Sequence, residues 1–227
     1  GLLDFTSYYA FRNRYAHMVE RNFGGRRVQI VGSYQRLDEL EKTLKKFSYR
    51  VQKKDCLDLP KKIFINRTVE LTSEQDKAYQ TMKSAALATL KGKMATAPHT
   101  LTQLMRLHQI TCGHFKSDDG EITNLKHNRI TELMDVMDEM EGKVIIWANY
   151  IHDIEEIVKT VKKEHGDDSI VQYYGAISSD DRQKAIKLFQ DPESPVKYFV
   201  GNTQTGGYGI TLTAASNVIY YSNSYDL

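Results

Sequence analysis

The residues best suited to chemistry lie in a segment rich in glycine and threonine near the end of the chain. Residues 203–213 read TQTGGYGITLT and follow a β-rich run. Glycines placed just after a strand let the backbone approach a ligand closely, and their N–H groups can meet an anion. Phosphate is the anion that this pattern favours. A glycine-rich hairpin or loop without a ligand is the alternative, which a GGxG sequence alone does not exclude.

Alternating strand and helix patterns after residue 143 would position this segment. Residues 144–147 form a short apolar run that can be buried on both faces, as in a parallel sheet. Successive βα units predict an open, right-handed α/β sheet, whose ligands gather at the carboxyl ends of the strands. The predicted elements are strands over 144–147, 170–174, 196–200 and 218–221, with helices over 151–163 and 178–190.

Earlier in the chain, hydrophobic periodicity predicts mainly helices. An aromatic-rich pattern with interleaved arginines covers residues 1–22 and ends at Gly24 and Gly25. Arginines that alternate with aromatic residues can stack on bases, but we interpret this stripe as core packing. The other predictions are a strand over 63–69, helices over 35–47, 72–90, 100–111 and 124–140, and a turn at 117–120.

The composition is that of a globular protein without a membrane span. Of the 227 residues, 41% are hydrophobic and 26% are charged, and no apolar run is long enough to cross a bilayer. Cys56 and Cys112 lie far apart, so neither a disulfide framework nor a zinc site is indicated. We therefore expect a reducing compartment, cytoplasmic or nuclear, and no membrane partner.

The charge is distributed unevenly along the chain. Residues 1–67 hold 15 Lys and Arg against 7 Asp and Glu, whereas the remainder holds 16 against 22. The first third therefore has a balance of +8, although the whole chain carries only +2. Such a bias is consistent with a polyanionic partner, and a solvated charged face is the alternative.

Several segments in fixed order resemble one known family. KVIIWAN, YGAISSDDRQKAIKLF and residues 199–221 look like three successive motifs of the second RecA-like lobe of superfamily-two helicases. The subgroup they resemble most is the Swi/Snf-type ATP-dependent translocases of double-stranded DNA. LKKFSYRVQK is similar to the stretch that joins the first lobe's helical protrusion to the second lobe. Two later segments are similar to the helices that lead into the second lobe, VELTSEQDKAY and LTQLMRLHQITCG.

The resemblance implies a fold and a domain organisation. The fold would be α/β, with a RecA-like open parallel sheet, helices on both of its faces and an N-terminal helical extension. Residues 1–66 would be a basic helical remnant of the first lobe's protrusion with its linker. Residues 67–227 would be the C-terminal helicase lobe, ending before the family's arginine-finger motif.

The resemblance also assigns roles to individual residues. Positions that face the DNA backbone in the family correspond to Asn149, Gly175, Ser178, Thr203, Gly206 and Gly207. Gly209 and Thr211 match positions that couple DNA to the nucleotide, although Thr211 replaces the usual Asn or Asp. Arg182 matches a frequent basic position, with an exposed helix-surface residue or a salt bridge within the lobe as the alternative roles.

Two motifs of an ATPase site do not occur in the sequence. It contains neither a GxxxxGK[ST] phosphate loop nor the family's acidic magnesium motif. The resemblance therefore implies that ATP and Mg²⁺ bind mainly to an N-terminal RecA-like lobe of the same protein. We expect no catalytic or metal-binding residue here, no tightly bound cofactor, and no ATP hydrolysis by this chain alone.

Two other classes of function stay open at this stage. One is a non-catalytic α/β module that binds a nucleic-acid backbone. The other is a doubly wound domain that binds a small nucleotide through the turn at 206–209 and is indifferent to DNA. Salt-dependent binding to duplex DNA would separate the second class from the other two, because phosphate contacts release counterions.

Overall fold

A computed structural model describes the chain except residues 1–2, 24, 53–55, 57, 59–60, 92–96, 118, 208 and 225–227, and it describes only the backbone of 88–91 and 97–100. The chain divides into two units, Gly1–Ile65 and Asn66–Leu227. No helix among the described residues is long and apolar enough to cross a membrane.

The first unit combines two helices with an antiparallel hairpin. Its elements are α1 (Tyr8–Tyr15), β1 (Ala16–Phe23), β2 (Arg26–Tyr34) and α2 (Leu37–Leu44). The prediction of a helix over residues 1–22 is therefore wrong after Tyr15, where β1 begins. The N-terminal extension that the resemblance implies contains a β-hairpin as well as helices. The β-branched residues of both strands favour extended structure, and Gly25, with φ +88°, allows the reversal between them.

The aromatic stripe of α1 is only partly core. Tyr15 is buried, and the Phe5 and Phe11 rings pack against it at centroid distances of 5.7 and 5.2 Å. By contrast, Tyr8 and Tyr9 are exposed. The Arg14 guanidinium donates to Glu39 of α2 at 2.6 Å and thereby lowers the pKa of that carboxyl, so one ion pair fastens α2 to the end of α1.

The second unit is built on a parallel sheet. The strands of this sheet are β5 (Lys143–Trp147), β6 (Ile170–Tyr173), β7 (Tyr198–Gly201) and β8 (Ala215–Tyr220). They have the order β6–β7–β5–β8, so that β5 lies between β7 and β8. All three pairings are parallel, as in Val144 with Tyr198 and Ile170 with Tyr198.

Helices cover both faces of this sheet, as the resemblance implies. Val144 and Ile146 pack on one face against α5 (Arg129–Asp138) and α6 (Ile151–His165). On the opposite face, Ile145 and Phe199 pack against Phe189 of α7 (Ser179–Gln190). Each such buried side chain contributes roughly 1.5–3 kcal/mol. Apart from Lys143 at the start of β5, the two central strands are apolar at every position, because both of their faces are covered.

Four further elements of the second unit precede the sheet among the described residues. They are α3 (Ser73–Lys91), α4 (Ala97–Cys112), and a short hairpin of β3 (His114–Lys116) and β4 (Ile122–Asn124). The predicted turn at 117–120 lies inside this hairpin, apart from residue 118, which lies outside the described residues. Because 122–124 pair with β3, the helix predicted from residue 124 begins only at Arg129.

The strand predicted over 63–69 is wrong. Residues 61–72, all of them described, contain neither strand nor helix, and Ile63, Phe64 and Ile65 are 83, 87 and 76% exposed. Their alternation has the period of a strand, but a strand also needs a neighbour to which its backbone can bond. No described strand supplies that neighbour.

Candidate functional site

The carboxyl ends of three adjacent strands bring most of the predicted site residues to one edge of the sheet. Asn149 follows β5, Gly175 follows β6 and Thr203 follows β7. Since these strands are parallel neighbours, the segments after them emerge side by side. We call this edge, residues 148–150, 174–178 and 202–207, the carboxyl edge.

Asn202 joins the three strand ends. Its backbone N–H donates to the Tyr173 carbonyl at 3.1 Å, and its Nδ2 donates to the Asn149 carbonyl at 2.6 Å. The Oδ1 atom accepts from the Gln204 N–H at 2.8 Å and so caps the short helix α8 (Thr203–Gly206). Sequence reasoning missed Asn202, although an asparagine between a buried strand and a threonine is a typical helix cap.

A chain of buried hydrogen bonds supports the edge from behind. The Asn149 N–H donates to Ser222 Oγ at 2.8 Å, and Ser222 Oγ donates to Asp153 Oδ2 at 2.9 Å. The other Asp153 oxygen lies 3.2 Å from Nδ1 of His114. Asp153, Ser222 and His114 are all buried. The hydrogen-bonded route from Asp153 through Ser222 and Asn149 to Asn202, which we call the buried polar chain, was also missed from the sequence.

The glycines of the edge serve packing as well as access. A Cβ added to Gly206 would lie 2.7 Å from the Trp147 ring, so the missing side chain makes room for that tryptophan. A Cβ on Gly207 would lie 2.4 Å from the Thr203 carbonyl, which accepts from the Gly207 N–H. Gly175 is exposed. A Cβ added to it would lie 3.7 Å from Thr205 Oγ1, so the end of β6 lies beside α8.

Ser178 and Arg182 have evident roles within the lobe. Ser178 caps α7: its Oγ accepts from the Asp181 N–H at 3.1 Å and donates to the Asp181 carboxylate at 2.7 Å. The Arg182 guanidinium lies 5.7 Å from the centre of the Tyr173 ring. The Ser178 hydroxyl is therefore engaged in the cap, whereas the backbone around it stays exposed.

Gly209 and Thr211 lie beyond α8, in the segment that leads into β8. Gly209 has φ +79°, a conformation that glycine adopts without strain. Thr211 is exposed, while its neighbours Ile210 and Leu212 pack on the core that includes Phe189. This segment therefore crosses the α7 face of the sheet before β8 begins.

Buried groups next to the polar chain have shifted pKa values. Burial raises the pKa of the Cys112 thiol to about 12 and also raises the pKa of Tyr221. Burial and the nearby Arg129 charge lower the pKa of His108. These shifts keep all three groups neutral near pH 7. The described residues contain no group of three or more metal-ligating side chains that could hold a metal ion.

Comparison with family models assigns the chain to a class. The model described as the SNF2-related domain matches residues 1–116, about half of the chain, and the model of the helicase conserved C-terminal domain matches residues 126–227. The chain belongs to the SNF2-related family of superfamily-two helicases, which confirms the resemblance seen in the sequence motifs.

Individual proteins agree with this family. An ATP-dependent helicase of Mycoplasma genitalium is 28% identical over 230 residues, covering 97% of this chain and 21% of that protein. A DNA repair and recombination protein of Saccharomyces cerevisiae is 32% identical over 81 residues, covering 36% of this chain and 9% of that protein. Two curated bacterial relatives match more than nine-tenths of this chain, and the chain spans only about a fifth of the length of each.

A solved structure agrees with the fold. The SWI2/SNF2 ATPase core domain of Sulfolobus solfataricus is 26% identical, with a TM-score of 0.62, over 84% of this chain and 41% of that chain. The parallel four-stranded sheet with flanking helices is thus the RecA-like sheet of SNF2 ATPases.

Proposed function

We propose that this chain is part of an ATP-dependent translocase of double-stranded DNA. Residues 67–227 act as its C-terminal RecA-like lobe, and residues 1–66 carry the protrusion and linker of the first lobe. The observation that supports this most is the position of Asn202, which fixes three strand ends as one surface. The relatives named for helicase activity and DNA repair support the same class.

In this proposal the carboxyl edge binds the phosphate backbone. A translocase moves along any sequence, so it needs contacts to phosphates and not to base edges. The edge offers neutral donors for that purpose: the half-buried Thr203 hydroxyl, the Gln204 side chain and the exposed backbone at Gly175 and Ser178. The Thr203 hydroxyl forms no hydrogen bond to any described residue, so that it can donate to a phosphate oxygen without giving up an internal contact.

ATP and Mg²⁺ would be held mainly by an N-terminal lobe of the same protein, since the sequence lacks the phosphate-loop motif. Closure of the two lobes on ATP would then move the DNA contacts along the backbone. Gly209 and Thr211 would connect the two sites, because their segment follows the carboxyl edge directly in the chain. The chain alone would bind DNA without hydrolysing ATP.

Duplex binding by the 227-residue chain tests this proposal. We expect measurable affinity at low salt, with a log–log salt slope of about −0.9 for each neutralised phosphate. Thr203→Ala should weaken binding about fivefold to tenfold, the loss of one hydrogen bond of about 1 kcal/mol, without changing the slope. Thr131→Ala, at an exposed position of α5, is the control. Wild-type affinity in the Thr203 variant would refute the site, and preference for a free nucleotide over DNA would refute the function.

A further inference from the structure

The hairpin of β1 and β2 has two chemically different faces. Cross-strand partners project from the same face, so the pairs Arg21 with Val28 and Phe23 with Arg26 share one face. The pairs Glu20 with Gln29 and Asn22 with Arg27 share the other. We call the first of these the arginine face. The sequence pattern had placed Arg21 on a helix, where it would not have faced these partners.

The two faces differ in how their arginines are neutralised. Arg27 lies 3.6 Å from the Glu20 carboxylate on its own face. On the arginine face, Arg21 and Arg26 form no ion pair with any residue that the structure describes. Both side chains are exposed, and no acidic residue projects from that part of the face. The arginine face is therefore an uncompensated cationic patch.

Apolar side chains lie between and beside these two charges. Phe23 is 59% exposed and Val28 is 38% exposed, so these apolar side chains remain accessible to solvent. Arg21 and Arg26 are diagonal neighbours across the two strands, about 7–8 Å apart. Many nucleic-acid-binding surfaces combine cationic side chains that contact phosphates with exposed aromatic rings that pack on bases, and this face offers both.

We propose that the arginine face is a second DNA contact, at which Arg21 and Arg26 bind phosphates and Phe23 packs on the sugar–base surface between them. It consists of residues of the first unit and shares none with the carboxyl edge, so that it goes beyond the proposed function. Guanidinium groups match phosphate oxygens in bidentate geometry, and a two-stranded β-ribbon fits the major groove of a duplex. The balance of +8 over residues 1–67 favours a polyanion over an acidic peptide of few charges.

Salt-dependent duplex binding by a charge-removal variant tests this contact. The double variant Arg21→Gln with Arg26→Gln should lower the log–log slope by about 1.8, the value for two phosphate contacts. Between 50 and 200 mM salt, wild-type affinity should then fall about twelvefold more than the variant's affinity. Phe23→Ala should weaken binding at every salt concentration and leave the slope unchanged.

The matched control removes two charges elsewhere in the same unit. Arg27→Gln with Arg36→Gln takes away arginines that pair with Glu20 and Glu39, and should leave the slope nearly unchanged. Equal slopes in the two double variants would show a general charge effect and overturn the proposal. A wild-type slope in the Arg21 and Arg26 variant would also overturn it and leave an acidic protein as the partner to test.

The same titration separates this proposal from the preceding one. If Thr203→Ala binds like wild type while the arginine-face variant loses slope, the carboxyl-edge site fails and the hairpin contact stands. The reverse pattern overturns the hairpin contact alone. Circular dichroism of each variant, compared with wild type, establishes that the hairpin is still folded.

Discussion

Asn202 is the residue on which the geometry of the carboxyl edge depends most. Its side chain donates to one strand end and accepts from the first turn of α8. An amide is needed because the two contacts have opposite polarity, one with a carbonyl oxygen and one with an N–H. Serine or aspartate would cap α8 equally well. However, an ionised aspartate has no proton to donate to the Asn149 carbonyl, and the serine side chain is too short to reach it while it caps α8.

Replacing Asn202 by aspartate should therefore destabilise the second unit. Asn202→Asp keeps the cap, but at neutral pH it places a carboxylate against the Asn149 carbonyl, for a loss of about 1–3 kcal/mol in urea unfolding. Because this contact disfavours the ionised form, the pKa of the new carboxyl should be higher in the folded state than in the unfolded state. The loss relative to wild type should thus shrink as the pH falls through the raised folded-state pKa, and it should be smallest at about pH 4 and below, where the protonated acid can donate.

The control for this variant is Asn223→Asp, at an exposed position near the buried polar chain. It should change the unfolding free energy by less than about 0.5 kcal/mol. A loss in Asn202→Asp that does not shrink toward acid pH would contradict the donor role of Nδ2.

At the scale of elements, the buried polar chain connects α6, the end of β8 and the end of β5. Asp153 is on α6, Ser222 follows β8, and Asn149 follows β5. These residues lie 69 and 73 positions from their hydrogen-bond partners, so that no local sequence pattern could reveal them. The apolar runs and caps that predict β5, α6 and α7 are local signals, which is why those elements were predicted within a few residues of their observed ends.

The failures of prediction have the same cause. Residues 16–22 belong to the stripe whose aromatic and arginine spacings predict a helix over 1–22, but antiparallel pairing across Gly25 satisfies their backbone groups instead. Residues 63–69 have the period of a strand and lack a described neighbour. Pairing between distant segments decides both cases, and a local pattern contains no information about it.

A double-mutant cycle on Asp153 and Ser222 tests the coupling between α6 and β8. Ser222→Ala should cost about 2–4 kcal/mol in the wild-type background, because it removes both the hydrogen bond to the buried Asp153 carboxylate and the one from the Asn149 N–H. In the Asp153→Asn background it should cost about 1 kcal/mol less, since the bond is then between neutral groups. Urea unfolding of the four proteins gives the coupling energy.

Ser216→Ala, at an exposed position of β8, is the control for this cycle. Its cost should be the same in both Asp153 backgrounds, within about 0.3–0.5 kcal/mol. Zero coupling between Asp153 and Ser222 would mean that the two elements are held together by apolar packing alone.

At the scale of the whole molecule, the two cysteines report on folding. Cys112 is buried with its pKa raised to about 12, whereas Cys56 is exposed. Because only the thiolate reacts with thiol reagents, the folded chain should react at one cysteine near pH 8, and the urea-unfolded chain at both. Counting the released chromophore of a disulfide reagent measures this.

The variant Cys56→Ala serves as the control, since its folded form should then release almost no chromophore. Rapid reaction of Cys112 in the folded variant would contradict the packing of the end of α4 within the second unit. Because the pKa of Cys112 is raised in the folded state, the stability of the fold also depends on pH. The contribution of the neutral thiol is fully present below about pH 9, and it decreases as the pH rises from there toward 12.

The exposed run Ile63, Phe64 and Ile65 immediately precedes the boundary between the two units. Proteases cleave chain that is accessible and outside regular structure, and those that prefer aromatic residues would find Phe64 and Tyr49 there. Brief digestion should thus release the sheet-bearing half as a discrete product. That product would let the carboxyl edge and the arginine face be assayed on separate polypeptides.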